Sequence, residues 1–247
     1  MSWSMYKHRC PGRSWYAVLW WLFCAHTVRG ILYVFFRLHI HGRQHIPKTG
    51  PIIFISNHQS FLDPMICGAA TTPRPGRPFA KESLFRFPLG VLIRTLGAMP
   101  IKGGGRDKAV MRLAIEELIA GRTVSIYPEG TRSFDGAMNP FKPGIGLILK
   151  RGKACVVPMA IEGAFDAWPR TGRPRIWRCV ECEIGLPIEY DELMKDGVVP
   201  ALRRLEGEVD QLRLACRERI RRRTGGRQPA PGRADKPFSI EDEAETT

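Results

Sequence analysis

Short apolar runs punctuate this chain, and most of them end in a polar turn. Ile52-Ile53-Phe54-Ile55 follows Pro51 and reads as a buried strand, because it offers no polar face. Thr123-Val124-Ser125-Ile126-Tyr127 and Ala154-Cys155-Val156-Val157-Pro158-Met159-Ala160-Ile161 read the same way. Leu38 to Gly42, Phe79 to Lys81 and Trp177 to Ile184 predict further strands. Between them lie helical patterns. From Asp107 to Ala120, residues Val110, Leu113, Ala114, Ile115, Leu118 and Ile119 recur at helical spacing, and Gly121 closes the segment. Asp63-Pro64 predicts a helix start, with Asp63 at the N-cap and Pro64 at the first helical position. Glu82 to Phe85 starts a helix that ends before or kinks at Pro88, and Leu89 to Leu96 continues to Gly97. A helix runs through Leu147-Ile148-Leu149. Leu202 to Arg223 is a highly charged helix, expected on the surface.

The most apolar stretch is Ser14 to Phe36. It has about the length of a membrane span, but Arg29 would lie well inside it. A secretory signal fits poorly, because the run is rich in aromatics and no small-residue cleavage site follows. Its Trp and Tyr residues and flanking cations suit the headgroup region. We therefore expect an interfacial anchor, built as two short helices broken near Arg29-Gly30. At the other end, the chain beyond Thr224 is rich in Gly, Pro and charge, and reads as disordered. The expected organisation is a membrane-anchoring segment over 1–36, a catalytic domain over 37–223 and a disordered tail over 224–247.

Composition narrows the partners. The 247 residues carry a formal net charge of +14, which implies an anionic partner: a membrane surface, a phosphorylated substrate or nucleic acid. Seven Cys, without a disulfide-framework spacing, suit a reducing compartment. Cys179 and Cys182 stand three apart on an expected strand, so their sulfurs should diverge, and no zinc site is expected. His39, His41 and His45 cluster locally, yet no nearby carboxylate or Cys completes a metal site, and they read as solvated.

The chemistry concentrates in two turns. Ser56-Asn57-His58-Gln59-Ser60-Phe61-Leu62-Asp63 follows the first buried strand. A His with a carboxylate close by can act as a general base. His58 and Asp63 stand five apart, however, and on a regular helix they would point well over a right angle from one another. They meet only if residues 57–62 form a compact turn. Pro128-Glu129-Gly130-Thr131-Arg132-Ser133 follows another buried strand. Ligands of open α/β sheets gather at the carboxyl ends of strands, so the two turns are placed to share one cleft. Gly103-Gly104-Gly105 could let backbone N–H groups approach a phosphate, but neither the P-loop pattern nor the dinucleotide fingerprint is present.

These residues resemble the glycerolipid acyltransferases of the lysophosphatidic acid acyltransferase type, over roughly Ile40 to Leu186. Asn57-His58-Gln59-Ser60-Phe61-Leu62-Asp63 looks like the family's NHxSxxD block, and Tyr127 to Ser133 looks like its [FY]PEGTRS block. Val157-Pro158 is similar to its last, Pro-containing block, and Phe79 to Phe85 to the segment that carries a family lysine. One block departs: after Gly97-Ala98-Met99-Pro100-Ile101 the family usually places an Arg, where this chain has Lys102 and Gly103, with Arg106 later.

The resemblance implies an α/β fold: a mixed, mostly parallel sheet flanked by helices, preceded by a hydrophobic helical membrane anchor. It implies acyl transfer from acyl-CoA or acyl carrier protein to the sn-2 hydroxyl of 1-acyl-glycerol-3-phosphate (lysophosphatidate), giving phosphatidic acid. In that chemistry His58 takes the proton of the acceptor hydroxyl and Asp63 orients the ring. Backbone N–H groups or Lys81 face the oxyanion. Glu129, Gly130, Thr131 and Arg132 are candidates for the glycerol phosphate, with Lys102 or Arg106 adding charge. No metal and no cofactor is expected, the acyl donor being a co-substrate. Membrane lipid is an expected partner, nucleic acid is not, and the expected location is the cytoplasmic face of a membrane. The same chemistry on another acceptor (glycerol 3-phosphate, another lysophospholipid or a lyso-aminolipid) is one alternative. A non-enzymatic binder of anionic surfaces or nucleic acid is the other.

Overall fold

The structure is a computed structural model that describes residues 9–101 and 108–239. Along the chain its elements are α1 (Trp15–Phe36), β1 (His39–His41), β2 (Ile52–Ser56), α2 (Asp63–Ala70), β3 (Phe79–Lys81), α3 (Leu89–Thr95), β4 (Met99–Ile101), α4 (Lys108–Ile119) and β5 (Thr123–Ile126). There follow α5 (Ile145–Gly152), β6 (Cys155–Glu162), α6 (Ala164–Ala167), β7 (Glu181–Ile184), α7 (Tyr190–Met194) and α8 (Val198–Thr224). Short 3-10 turns cover Arg43–His45, Glu82–Phe85 and Arg233–Asp235.

Five strands form one sheet in the order β1-β7-β6-β2-β5, and β3 and β4 pair in parallel in a separate two-stranded sheet. Within the large sheet, β2 runs parallel to both β5 and β6, β1 runs parallel to β7, and only the β6–β7 pair is antiparallel. The mixed, mostly parallel sheet flanked by helices is therefore present.

The central strand shows why this sequence needs two covering layers. All five residues of β2 are buried. Alternate side chains face opposite ways, as the period of a strand requires. Ile52 and Phe54 join a core with Leu32, Phe36, Ile66 and Val157, so α1 and α2 cover that face. Ile53 and Ile55 join Ala114, Leu118, Ile148, Leu205 and Val209, so α4, α5 and α8 cover the other. Each fully buried Ile contributes roughly 1.5–3 kcal/mol relative to exposure.

Register then fixes the functional end. Ile55 pairs with Ile126 on β5 and with Pro158 on β6, and Ser56 pairs with Met159. The strands β2 and β5 thus finish level, and the turns that follow them lie side by side.

Several expectations change. The apolar N-terminal segment is one unbroken helix, not two. Gly30 falls on its exposed side, whereas Val18, Trp21, Ala25 and Leu32 make one continuous buried stripe that holds the helix together across the glycine. Among the described residues α1 alone is long and apolar enough to cross a membrane, by length and composition. Its inner face is packed on protein, since Val28, Leu32 and Phe36 belong to the same core as β2.

The charged helix α8 is also not a surface helix. Ala201, Leu205, Val209, Cys216 and Ile220 pack on the sheet, and Arg213 and Arg217 are buried with them. Those two guanidinium groups meet Glu162, itself buried at the end of β6. The disordered tail is corrected over residues 225–239, which fold back along α8. Arg213 donates to the carbonyls of Ala234 and Lys236, and Arg217 pairs with Asp235. The buried arginines have more donors than Glu162 can accept, and the returning chain supplies the remainder.

Strand β7 begins only at Glu181, so Cys179 lies before it. The local histidines are not simply solvated. His41 Nε2 is 2.7 Å from Glu181 and His45 Nδ1 is 2.9 Å from the carbonyl of Ile184, both partners arriving on β7. A ligand atom each from His39, Cys179 and Glu181 lies within a 4.8 Å cluster. The carboxylate of that cluster is already paired with Arg219 and Arg223, which neutralises the charge a cation would need.

Candidate active site

The site is built on the turn after β2. Asp63 is the first residue of α2, and its side chain does not cap that helix. Its carboxylate turns back instead. One oxygen, Oδ2, accepts the backbone N–H of Gln59 at 2.6 Å, the backbone N–H of Ser60 at 2.7 Å and Nδ1–H of His58 at 2.7 Å. These three bonds wind residues 58–63 into the compact turn that the five-residue spacing demands. The other oxygen, Oδ1, is buried and has no hydrogen-bond partner among the described residues.

A carboxylate only accepts, so in neutral His58 the proton sits on Nδ1 and the lone pair remains on Nε2. The ring is stacked on Tyr127, with centroids 4.2 Å apart, and its side chain is 18% exposed. It is thus held on two sides while still reachable from solvent.

Around it the backbone is pinned to neighbouring strands. Asn57 exchanges two 2.8 Å bonds with Ile161 of β6, its amide donating to the carbonyl and its oxygen accepting the N–H. Gln59 donates to the carbonyl of Gly136 and to Glu162, and Ser60 donates to the carbonyl of Trp168. Each buried polar group that finds such a partner avoids a desolvation penalty of about 1–3 kcal/mol.

The second turn is locked to the first. The N–H of His58 donates to Glu129 at 2.7 Å, and the N–H of Ser133 donates to the carbonyl of His58 at 2.8 Å. The other oxygen of Glu129 accepts from the backbone and side chain of Asn139. Glu129, expected among the phosphate-facing candidates, therefore points inward and serves as a brace. Burial pushes its carboxyl up to about 8, against the opposing pull of those hydrogen bonds. Gly130 adopts φ +67, and a Cβ there would come within 2.7 Å of the Lys142 ammonium. The glycine lets the turn reverse with that lysine lying over it.

Two arginines stand beyond the brace. The Cζ of Arg132 lies 3.4 Å from the centroid of Phe61, a residue of the first turn. Its Nη1 is buried without a partner among the described residues. Arg170 donates to the hydroxyl of Thr131 at 2.8 Å and lies over the ring of Phe134. Burial, and then repulsion from Arg170, lowers the pKa of Arg132 from its ordinary value. Two guanidinium groups are thus held together on aromatic faces, one with an unused donor, and groups of this kind can pair with a doubly charged anion.

The expected site residues divide accordingly. His58, Asp63, Gly130, Thr131 and Arg132 come together at one end of the sheet, and Glu129 supports them from below. Lys81 closes β3 in the small sheet and is exposed. Among the described residues no hydrogen bond or ion pair joins it to either turn. Lys102 and Arg106 lie outside the described residues, as does the triple glycine. No sequence motif points to Arg170. It sits beyond α6, in the loop that leaves the third strand end of the same cleft, and only the general rule about carboxyl ends of strands points to that loop.

A model of the Acyltransferase family matches residues 37–162, and the chain belongs to that family. It is 30% identical over 142 residues to a chloroplastic 1-acyl-sn-glycerol-3-phosphate acyltransferase of Arabidopsis thaliana, covering 56% of this chain and 39% of that one. It is 24% identical over 203 residues to the 1-acyl-sn-glycerol-3-phosphate acyltransferase of Bacillus subtilis, covering 77% of this chain and 98% of that one. The chain thus spans about two fifths of the length of its plant relative and nearly all of its bacterial one. The crystal structure of the 1-acyl-sn-glycerophosphate acyltransferase PlsC from Thermotoga maritima shares its fold, with a TM-score of 0.64 at 24% identity, over 78% of this chain and 77% of that one.

Proposed function

We propose that this protein transfers an acyl group from acyl-CoA or acyl carrier protein to the sn-2 hydroxyl of 1-acyl-glycerol-3-phosphate, forming phosphatidic acid. The observation that carries the reading is the His58–Asp63 pair, 2.7 Å apart on a turn braced against an arginine-bearing turn. The names of the plant and bacterial relatives support the acceptor in this reading.

The acceptor hydroxyl is a weak nucleophile. As its oxygen approaches the thioester carbonyl, Nε2 of His58 takes its proton, a step worth typically 10²–10⁴-fold. The Asp63 carboxylate stabilises the imidazolium so formed. Collapse of the tetrahedral intermediate breaks the C–S bond and leaves the new ester C–O bond. The proton on Nε2 then passes to the departing thiolate. The protein contributes no covalent nucleophile, because the acceptor supplies its own.

Arg132 and Arg170 take the phosphate of the acceptor, and the unused Nη1 of Arg132 provides one of its donors. The protein works at the cytoplasmic face of a membrane, in keeping with seven free cysteines and the apolar outer face of α1. A panel of acceptors with one fixed acyl-CoA tests the assignment. Lysophosphatidate should be turned over fastest, and preference for glycerol 3-phosphate or for a lysophospholipid lacking the terminal phosphate monoester would replace the acceptor named here.

A further inference from the structure

The segment that carries β3, the 3-10 turn and α3 is almost entirely uncovered. From Lys81 to Thr95 every residue is exposed except Phe85, Gly90 and Ile93. Its apolar members are large: Phe87 is 87% exposed, Val91 54%, and Leu84, Leu89 and Leu92 are each near 45%. A continuous apolar surface of this kind on a folded domain marks an interaction site.

Its neighbour decides which kind. The outer stripe of α1 is exposed and apolar at Tyr16, Leu19, Trp20, Phe23, Ile31 and Val34, which recur at helical spacing. The two surfaces are physically joined. The indole N–H of Trp20 donates to the hydroxyl of Thr95 at 2.9 Å, and the Trp20 ring stacks on Phe23. Thr95 stands three and four positions after Leu92 and Val91, so it shares their face of α3. Arg13, just before α1, donates to the carbonyls of Gly76 and Leu96 at the two ends of the same segment. One apolar strip therefore runs from Phe23 through Trp20 to Val91 and Leu92, and the exposed Phe87 stands two residues before α3. The charged residues set within its second half are the exposed Lys81, Arg86 and Arg94, against a single acid, Glu82. Tryptophan in the middle and cations interspersed among apolar side chains are the composition of a surface lying in the headgroup layer of an anionic bilayer.

We propose that Leu84 to Leu92 is a second membrane-inserting element, which enters an anionic lipid surface side by side with the outer face of α1. The chain then rests on the bilayer along two lines of contact, not on one helix. The inner face of α1 stays on the protein, as its packing requires. The inference concerns docking and stands whether or not the acceptor assignment does.

Sedimentation of the full chain with vesicles of mixed phosphatidylcholine and phosphatidylglycerol, without any substrate, tests it. Phe87→Ser, Val91→Ser and Leu92→Ser combined should lower the vesicle partition coefficient at least tenfold, with the melting temperature unchanged. Phe87→Leu alone should leave it within about twofold. Raising the phosphatidylglycerol fraction should strengthen binding, and added salt should weaken it. Binding of the triple variant equal to that of the parent would overturn the proposal. So would a parent chain that is dimeric in lipid-free buffer and a triple variant that is monomeric, since a second copy would then cover this strip. Because no turnover is read, a wrong acceptor assignment cannot produce either result.

Discussion

The floor of the active site and the strip around α3 are built on opposite terms. In the floor, buried polar side chains are bonded to one another and to the backbone: Asn57 to Ile161, Gln59 to Glu162, Glu162 to Arg217, Glu129 to Asn139. Around α3 the side chains are mostly apolar and open to solvent. The floor takes its geometry from mutual hydrogen bonds that tolerate little change. The strip takes no geometry from its exposed side chains, which are free to meet something outside the protein. The same substitution should therefore matter very differently in the two places.

The largest effect should come from His58→Ala, which removes the proton acceptor. Steady-state transfer of acyl groups to lysophosphatidate should fall by about 10³-fold or more, with the circular-dichroism melt unchanged. Turnover near that of the parent would remove His58 from the reaction. Asp63→Asn is the sharper probe. Its amide oxygen can keep the three bonds now made by Oδ2, so chiefly the charge is lost. A fall of about 10²–10⁴-fold in kcat with native stability would assign the carboxylate an electrostatic part.

Next comes the buried ion pair under the floor. Arg217→Ala leaves Glu162 buried without its closest cation and should lower unfolding free energy by about 3–5 kcal/mol in urea titrations. Leu84→Ser in the strip should change it by less than about 0.5 kcal/mol. Equal losses would erase the contrast.

Arg170→Gln should raise KM for lysophosphatidate roughly tenfold and leave kcat within about threefold, because it removes one phosphate donor and no reacting group. An equal rise for an acceptor without a phosphate monoester would make Arg170 a support for Thr131 alone.

The last contrast is a pH dependence of stability. The fold holds a proton on Glu129 up to about 8, whereas the unfolded chain releases it near its ordinary value of 4.5. Between those values the folded state binds more protons, so stability should decline as pH rises from about 4.5 through about 8. Chemical denaturation across that range should show the decline, and Glu129→Gln should flatten it.

How legible all this was depended on how local each feature is. The strands β2, β5 and β6 and the two turns could be read directly, because a run of buried residues followed by a polar turn is written in consecutive positions. The His58–Asp63 spacing even dictated the compact turn. The cap role that Asp63-Pro64 predicts for Asp63 is not realised, since two backbone N–H groups of its own turn and an imidazole compete for the same oxygen and win. The sequence of the charged helix α8, rich in Arg and Glu, predicts a surface element. Its charges are buried only because Glu162 and the returning chain at 230–236 supply partners from far along the sequence.

By itself, then, the amino-acid sequence determined the segments: which runs must be buried, where the chain turns, and which two turns carry titratable and cationic groups. Only the tertiary structure decided which way those groups face. It turned Glu129 inward, brought Arg170 to Thr131, laid one stripe of α1 on the core and left the other beside α3. The reason is that burial preference is a property of a residue and its near neighbours, whereas a hydrogen bond or an ion pair needs a partner whose position is set by the packing of the whole sheet.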